Sequence, residues 1–237
     1  LSSTGPGLSG RSPALRRMTA LSTEAALADA GLYIGGMFTL TPEEARTFDV
    51  NGVNALLIGN AGPDMWRIFT QEQGEDGEPD PLNRWTRRRL DRIAEQAGAS
   101  VIYPFDGPPW PPFGQWALRT GRYFESPLGL KIHPHFGLWQ AFRGVLVLPA
   151  DWPVAALTTG EGCRSPCDSC HDKPCLATCP VGAFSPSGYD VPACRDHLST
   201  AGTNCLSRGC MARHACPVGH AYASEQASFH MQAFLTI

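Results

Sequence analysis

The sequence predicts an α+β protein built of two unlike parts, an α/β domain over residues 21–153 and a small cysteine-rich domain over residues 163–220. Three observations carry this. Strand-like and helix-like segments alternate between residues 32 and 104, the pattern of an α/β layer architecture. All nine cysteines lie between Cys163 and Cys216, and residues 1–162 hold none. The 237 residues, 43% hydrophobic and 17% charged, suffice for one to two domains with a real core at about 150 residues each. The net charge of −3 from 19 basic and 22 acidic residues offers no basic surplus for nucleic acid or an anionic membrane. The longest apolar runs fall far short of the roughly 20 residues of a spanning helix.

Residues 1–20 are rich in Gly, Ser and Pro near their start and lack the apolar region of a signal peptide, so they read as a flexible leader. The expected compartment is then the cytoplasm, where clustered thiols more often bind metal or do redox work than form disulfides. A short helical pattern over 23–28 precedes an apolar run, 32–40, that reads as a strand. Thr41, Pro42 and Glu44 supply an N-cap, a first-turn proline and the acid of a capping box, so a helix starts there. Asn51-Gly52 marks a turn before a strand over 53–58. A helix over 63–69 and an acidic, solvated loop over 72–80 follow. The helix over 82–96 sets Trp85, Leu90 and Ile93 against an arginine-rich face and stops at Gly98. Further strands are expected over 100–103, 128–133 and 144–149. The proline-rich stretch 107–116 reads as a rigid loop, residues 154–162 as a linker and 221–237 as a C-terminal tail.

The first cysteine group is Cys167-x2-Cys170-x4-Cys175-x3-Cys179-Pro180, two residues longer than the bacterial ferredoxin run C-x2-C-x2-C-x3-C-P. Cys194, Cys205, Cys210 and Cys216-Pro217 follow, and Cys-Pro-Val-Gly occurs at both Cys179 and Cys216. In two-cluster ferredoxins the cysteine before proline ligates the other cluster. That logic groups Cys167, Cys170, Cys175 and Cys216 around one [4Fe-4S] centre and Cys179, Cys194, Cys205 and Cys210 around a second, leaving Cys163 over. Structural zinc also favours four cysteines, but the paired Cys-Pro endings suit cluster-binding turns better. Disulfides suit neither an odd count nor the expected compartment. The radical-SAM spacing Cys163-x3-Cys167-x2-Cys170 is followed by too little chain to build the barrel that chemistry needs. His171 and His214 sit among the cysteines, as alternative ligands or as neighbours that tune potential.

The first domain contains His133-Pro-His-Phe-Gly-Leu-Trp-Gln-Ala-Phe-Arg143-Gly-Val. This resembles the H-P-x-F-G-x-W-x-A-x-R-G-V segment of cobalamin-processing proteins of the CblC type, and the resemblance extends over roughly residues 30–153. His135 stands where a basic residue is the family pattern. The cysteine segment separately resembles the iron–sulfur domain of epoxyqueuosine reductases and reductive dehalogenases, whose tRNA-modifying members carry further C-terminal helices absent here. These resemblances imply a nitroreductase-like α/β domain followed by a bacterial-ferredoxin-like domain with two [4Fe-4S] clusters. They also imply a corrinoid, cobalamin, held base-off near the first cluster. Trp110, Trp116, His133, Phe136 and Arg143 are the candidate corrinoid-binding residues, with Phe113 beside the two tryptophans on the loop.

The function expected from this is an oxidoreductase of the cobalamin-processing type. An external donor, a reductase or a flavodoxin or ferredoxin, reduces the clusters, and electrons pass to cobalt for its reduction or for removal of its upper ligand. No nucleic acid or membrane partner is expected, and the CblC-like resemblance admits a homodimer. Two other classes remain at this point: a ferredoxin-type carrier with a partner-docking domain and no corrinoid, and a flavin-dependent nitroreductase-like enzyme.

Overall fold

The computed structural model describes residues 19–72, 77–152, 162–185, 188–200 and 202–235. All but the end of the leader, the linker over 154–161 and part of the acidic loop lie outside the described residues. In chain order the first part holds α1 (Ala20–Asp29), β1 (Tyr33–Thr39), α2 (Pro42–Thr47), β2 (Asn54–Ala61), α3 (Asp64–Glu72), α4 (Pro81–Ala97) and β3 (Ser100–Ile102). It continues with α5 (Phe113–Arg119), β4 (Phe124–Glu125), β5 (Lys131–Ile132) and β6 (Gln140–Val147).

The main sheet runs β1-β2-β6-β3, and every pairing in it is antiparallel. The class is mixed α+β, as the sequence predicts, but the α/β layer suggested by the alternation over residues 32–104 is an antiparallel sheet. Alternation along a chain does not specify pairing direction, and here β6, from far downstream, inserts between β2 and β3 and takes the place a parallel neighbour would occupy.

The central strands are buried on both faces, which is why they read as unbroken apolar runs. Successive side chains of a strand point to opposite faces. Leu56, Ile58, Leu146 and Leu148 therefore join α1, α3 and α4 in one core, while Leu57, Val145 and Val147 join α5 in the other. Opposite residues Leu56 and Leu146, and Leu57 and Val145, keep the two sets in register across β2 and β6.

The capping box at α2 is formed as its residues suggest. Thr41 Oγ1 accepts from the Glu44 backbone N–H at 3.1 Å, and Glu44 Oε2 accepts from the Thr41 backbone N–H at 2.7 Å. Glu44 also accepts from Trp116 Nε1 at 2.7 Å and from Arg119 at 2.8 Å, so one carboxylate ties α2 to α5. Desolvation pushes this carboxyl up, but hydrogen bonds from Arg119, the Thr41 backbone and Trp116 outweigh it and hold the pKa at about 2. A depressed folded-state pKa adds stability above the unfolded-state value that is lost as pH falls through the folded one. Stability should accordingly drop between about pH 4.5 and pH 2, and Glu44→Gln, which cannot titrate, should flatten that limb of an acid-unfolding curve and cost about 1–2 kcal/mol at neutral pH.

The stretch expected as a rigid loop ends in α5. Phe113 and Trp116 pack into the second core at 6% and 0% exposure, whereas Trp110 is 65% exposed.

The second part consists of short pieces: α6 (Pro174–Ala177), a hairpin of β7 (Phe184–Ser185) and β8 (Gly188–Tyr189), α7 (Val191–Ser199), α8 (Asn204–Arg208) and α9 (Met211–His214). A 3-10 turn over His220–Tyr222 leads to α10 (Gln226–Leu235), so the expected tail is a folded helix. Phe229 of α10 packs on Trp66 of α3, ring centroids 4.9 Å apart, while Met231, Phe234 and Leu235 pack toward Cys194 and Cys205. The helix therefore bridges the two parts. No helix among the described residues is long and apolar enough to cross a membrane.

Candidate functional site

The cysteines fall into two groups in space. Cys167 and Cys170 flank a turn, Cys175 lies on α6, and Cys216 follows α9; these four line one small cavity, closed by Ile132 and Val218. Burial raises the Cys167, Cys175 and Cys216 thiols, and the thiols within this set raise one another further.

The second group is Cys179, Cys194 on α7, Cys205 on α8 and Cys210 at the start of α9. Burial pushes the Cys194 thiol up and Cys179 and Cys205 add to it; for Cys210 burial again comes first, with Cys205 and Cys194 adding. One donor points at these sulfurs: the Ala183 backbone N–H reaches Cys179 Sγ at 3.3 Å. Tyr189 beside Cys194, and the backbone of Arg213 and Ala212 beside Cys210, work against the burial and lower those two thiols. Cys163 is exposed and stands in neither group. Among the described residues no three His, Cys, Asp or Glu side chains are placed to hold a single metal ion.

His171 is exposed. His214 is engaged elsewhere, with Nε2 2.8 Å from the Arg208 carbonyl and its ring edge-on to Trp139.

Two glycines join the halves. The turn over 133–137 is closed by reciprocal backbone hydrogen bonds between His133 and Gly137, at 2.9 and 2.8 Å. Gly137 has φ +59° and Gly219 φ +72°, backbone that glycine adopts without cost. A Cβ on Gly137 would overlap the Val218 carbonyl, and one on Gly219 would overlap the Phe136 carbonyl. The turn after Cys216-Pro217 is thus seated backbone to backbone on the turn of the His-Pro-His-Phe-Gly segment.

This placement decides the roles of two candidate residues. His133 Nδ1 accepts from the backbone N–H groups of His135 and Phe136 at 3.1 and 3.3 Å. Burial, with Arg122 and His135 nearby, lowers its pKa to about 4. The neutral ring with Nδ1 accepting carries its proton on Nε2, which leaves no free lone pair for a metal. Phe136 is held among the rings of Tyr33, His133, His135 and Tyr222, at centroid distances of 4.6–5.1 Å. Both residues serve the docking turn.

Arg143 is buried without a carboxylate. Its Nε donates to Asn60 Oδ1 at 2.7 Å, Asn60 Nδ2 donates to Gln226 Oε1 at 2.8 Å, Gln226 Nε2 lies 2.8 Å from His230 Nε2, and that nitrogen lies 3.5 Å from Arg143. The ring of four side chains pins α10 to β2 and β6. Desolvation lowers the Arg143 pKa to about 10. The imidazole of His230 is lowered to about 3, by desolvation first and then by Arg143 and Arg213, so it sits there neutral, as an acceptor.

Beside this ring lies a cavity of about 560 Å³ between the first domain, the cysteine segment and α10. Its walls are apolar, including Leu128, Leu138, Phe142, Phe184, Met231 and Phe234, and it carries a few polar groups, among them Gln140, Arg213 and His230. Gln140 donates through Nε2 to the Lys131 carbonyl at 3.0 Å, and among the described residues its buried Oε1 has no partner. Cys210 forms part of the wall. A second cleft of about 570 Å³, lined by Trp66, Arg67, Ser207, Arg208 and His214, is more polar.

None of the five residues singled out as corrinoid-binding lines the 560 Å³ cavity. Trp116 is core, Trp110 is exposed on the far loop, His133 and Phe136 build the docking turn, and Arg143 reaches the cavity only through His230. Of this lining the sequence marked Cys210 as a ligand and placed Leu138, Gln140, Ala141 and Phe142 inside the His133–Arg143 segment without giving them a role, while Met231 and Phe234 fall in the expected tail. The cavity is also bounded by the second cysteine group, not the first, beside which the corrinoid was expected.

No family model matches the chain and no curated protein matches it. Among solved structures the fold is similar to that of a B12-trafficking protein CblC from C. elegans, described as a homologue of human MMACHC. The two are 16% identical with a TM-score of 0.50, over 90% of this chain and 91% of that one. At that identity the likeness concerns the fold, which is CblC-like and mixed α+β.

Proposed function

We propose that the protein is an iron–sulfur redox protein that binds a corrinoid, cobalamin, and delivers electrons to its cobalt, for cobalt reduction or removal of the upper ligand. The observation that carries this is the apolar 560 Å³ cavity with Cys210 in its wall, because it brings one thiol group to the edge of a ligand-sized space. Pockets of about 300–1,000 Å³ with apolar walls and a few polar groups are the ordinary form of a cofactor site. The fold shared with a B12-trafficking protein supports a corrinoid as the occupant.

The donor sets suit two [4Fe-4S] clusters: each is four soft thiolates in largely apolar surroundings. Cys167, Cys170, Cys175 and Cys216 would hold one, and Cys179, Cys194, Cys205 and Cys210 the other. Such clusters supply one-electron transfer. The remaining work belongs to the chain. The Ala183 N–H on Cys179 would stabilise negative charge at sulfur and so help set potential, and Leu138, Phe142, Met231 and Phe234 give the cavity its apolar walls. The unpartnered Gln140 Oε1 suits an N–H donor, and a corrin carries primary amide arms that provide one. Electrons entering from an external donor would leave through the second cluster, whose Cys210 borders the cavity.

A carrier with a docking domain alone calls for a first domain without a large cavity, and the apolar cavity speaks against it. The test is binding. Anaerobically reconstituted protein should shift the visible spectrum of added cobalamin, and Leu130→Trp, at a half-exposed position of the cavity wall away from both cysteine groups, should weaken that binding at least tenfold while leaving iron content unchanged. Calorimetry and spectroscopy that detect no binding to the wild type would sink the corrinoid reading, and a yellow protein taking up flavin would replace it.

A further inference from the structure

Two guanidinium groups, Arg143 and Arg213, lie on either side of neutral His230, and among the described residues neither forms an ion pair with a carboxylate. Arg143 is accounted for by its hydrogen-bonded ring. Arg213 is not. It stands on α9 three residues after Cys210, its Nε donates to the Leu138 carbonyl at 2.9 Å, and it lies over the Trp139 ring at 4.6 Å. Among the described residues its terminal nitrogens meet no acceptor, and it borders the 560 Å³ cavity. Desolvation lowers its pKa to about 10, and the one acidic group acting against that is the Cys210 thiol.

A cation removed from water without a counter-charge is costly. The same cation beside an anionic group in a low-dielectric site is strongly favourable, because the attraction is poorly screened. A [4Fe-4S] centre with four thiolates carries net negative charge, which grows by one when it accepts an electron. Groups facing Arg213 from the neighbouring elements are the Leu138 carbonyl and Trp139 ring next to β6, His230 on α10 and Cys210 at the start of its own element, so among the described residues the one acidic group near it is on the Cys210 side.

We propose that Arg213 is the counter-charge of the cluster held by Cys179, Cys194, Cys205 and Cys210, and that it raises that cluster's reduction potential. It is a positioning residue, acting through the cluster. The inference rests on the two-cluster reading. It extends that reading by naming the residue that tunes the cluster beside the cavity, from which electrons would pass to the ligand.

The experiment is a redox titration of the reconstituted protein followed by electron paramagnetic resonance, with the two signals assigned through Cys170→Ala and Cys194→Ala. In Arg213→Gln the second cluster's midpoint should move to more negative potential while the first stays, and Arg213→Lys, which keeps the charge, should restore most of it. Loss of the second cluster in Arg213→Gln but not in Arg213→Lys would support the same role. Unchanged midpoints in Arg213→Gln, equal shifts of both clusters, or cluster loss in both variants would overturn it. Wild-type protein that takes up no iron would instead defeat the cluster reading itself, before any variant is compared.

Discussion

Gly219→Ala should unseat the cysteine segment from the first domain. The new methyl group would overlap the Phe136 carbonyl at a left-handed φ of +72°. Left-handed backbone costs an L-residue about 1–2 kcal/mol and overpacking about 1–3 kcal/mol more, so the expected loss is about 3 kcal/mol or greater. Gly137→Ala, at φ +59° against the Val218 carbonyl, should behave alike. The control is built into the chain: Gly182 occupies the same place in the first Cys-Pro-Val-Gly, has φ +59°, and has nothing within 4 Å of its Cβ position. Gly182→Ala should cost only the backbone term, about 1–2 kcal/mol. Thermal unfolding of the three variants measures the difference, and equal losses at Gly182 and Gly219 would show that the turn contact contributes nothing. Because the Cys216 turn is what the contact positions, Gly219→Ala should also lower cluster occupancy at the first site.

The second large effect is on metal content. Anaerobically purified protein should be brown and hold about eight iron and eight sulfide per chain, two [4Fe-4S] centres with four cysteines each. Cys170→Ala and Cys194→Ala should each halve that content, and the two variants should retain different signals, because their cysteines belong to different groups in space. Cys163→Ala, at an exposed thiol outside both groups, should leave the iron unchanged. About four irons in the wild type would reduce the protein to one cluster, and a single bound zinc would remove electron transfer from its function.

The elements that could be read along the chain are those in which local chemistry and burial agree. Residues 55–58 and the apolar part of β6 are buried on both faces, so every position there is apolar and no alternation is needed to find them. The α2 start was legible because Thr41, Pro42 and Glu44 satisfy the first-turn donors by themselves. The stop of α4 was legible because Gly98 takes the left-handed C-cap conformation. The strand expected over 128–133 shrinks to the two residues of β5, since most of that segment turns to meet the cysteine domain. α5 was hidden by the prolines before it. Those prolines precede its first turn, where a missing N–H costs nothing.

An aromatic or arginine in a recognisable motif reveals that the position is constrained, not what constrains it: Trp116 is held by the core and Glu44, and His133 by its own backbone. Nothing local marks Leu138, Met231 or Arg213 as neighbours of one cavity, because they come from three separate segments that meet only when the cysteine domain docks.

Read alone, the amino-acid order determined the central buried strands, the start of α2 and the stop of α4, because apolar runs and caps act over a few residues. Tertiary structure decided the rest: the antiparallel order of the sheet, the folding of the tail into α10, the burial of Arg143 in a neutral ring, and the position of the cavity beside Cys210. Each of these depends on contacts between residues far apart in the chain, made through burial that is collective and non-directional. The backbone contact of Gly137 with Gly219 is the point where the two levels meet: the glycines stand in the sequence, but only the docked turns show why no side chain fits there.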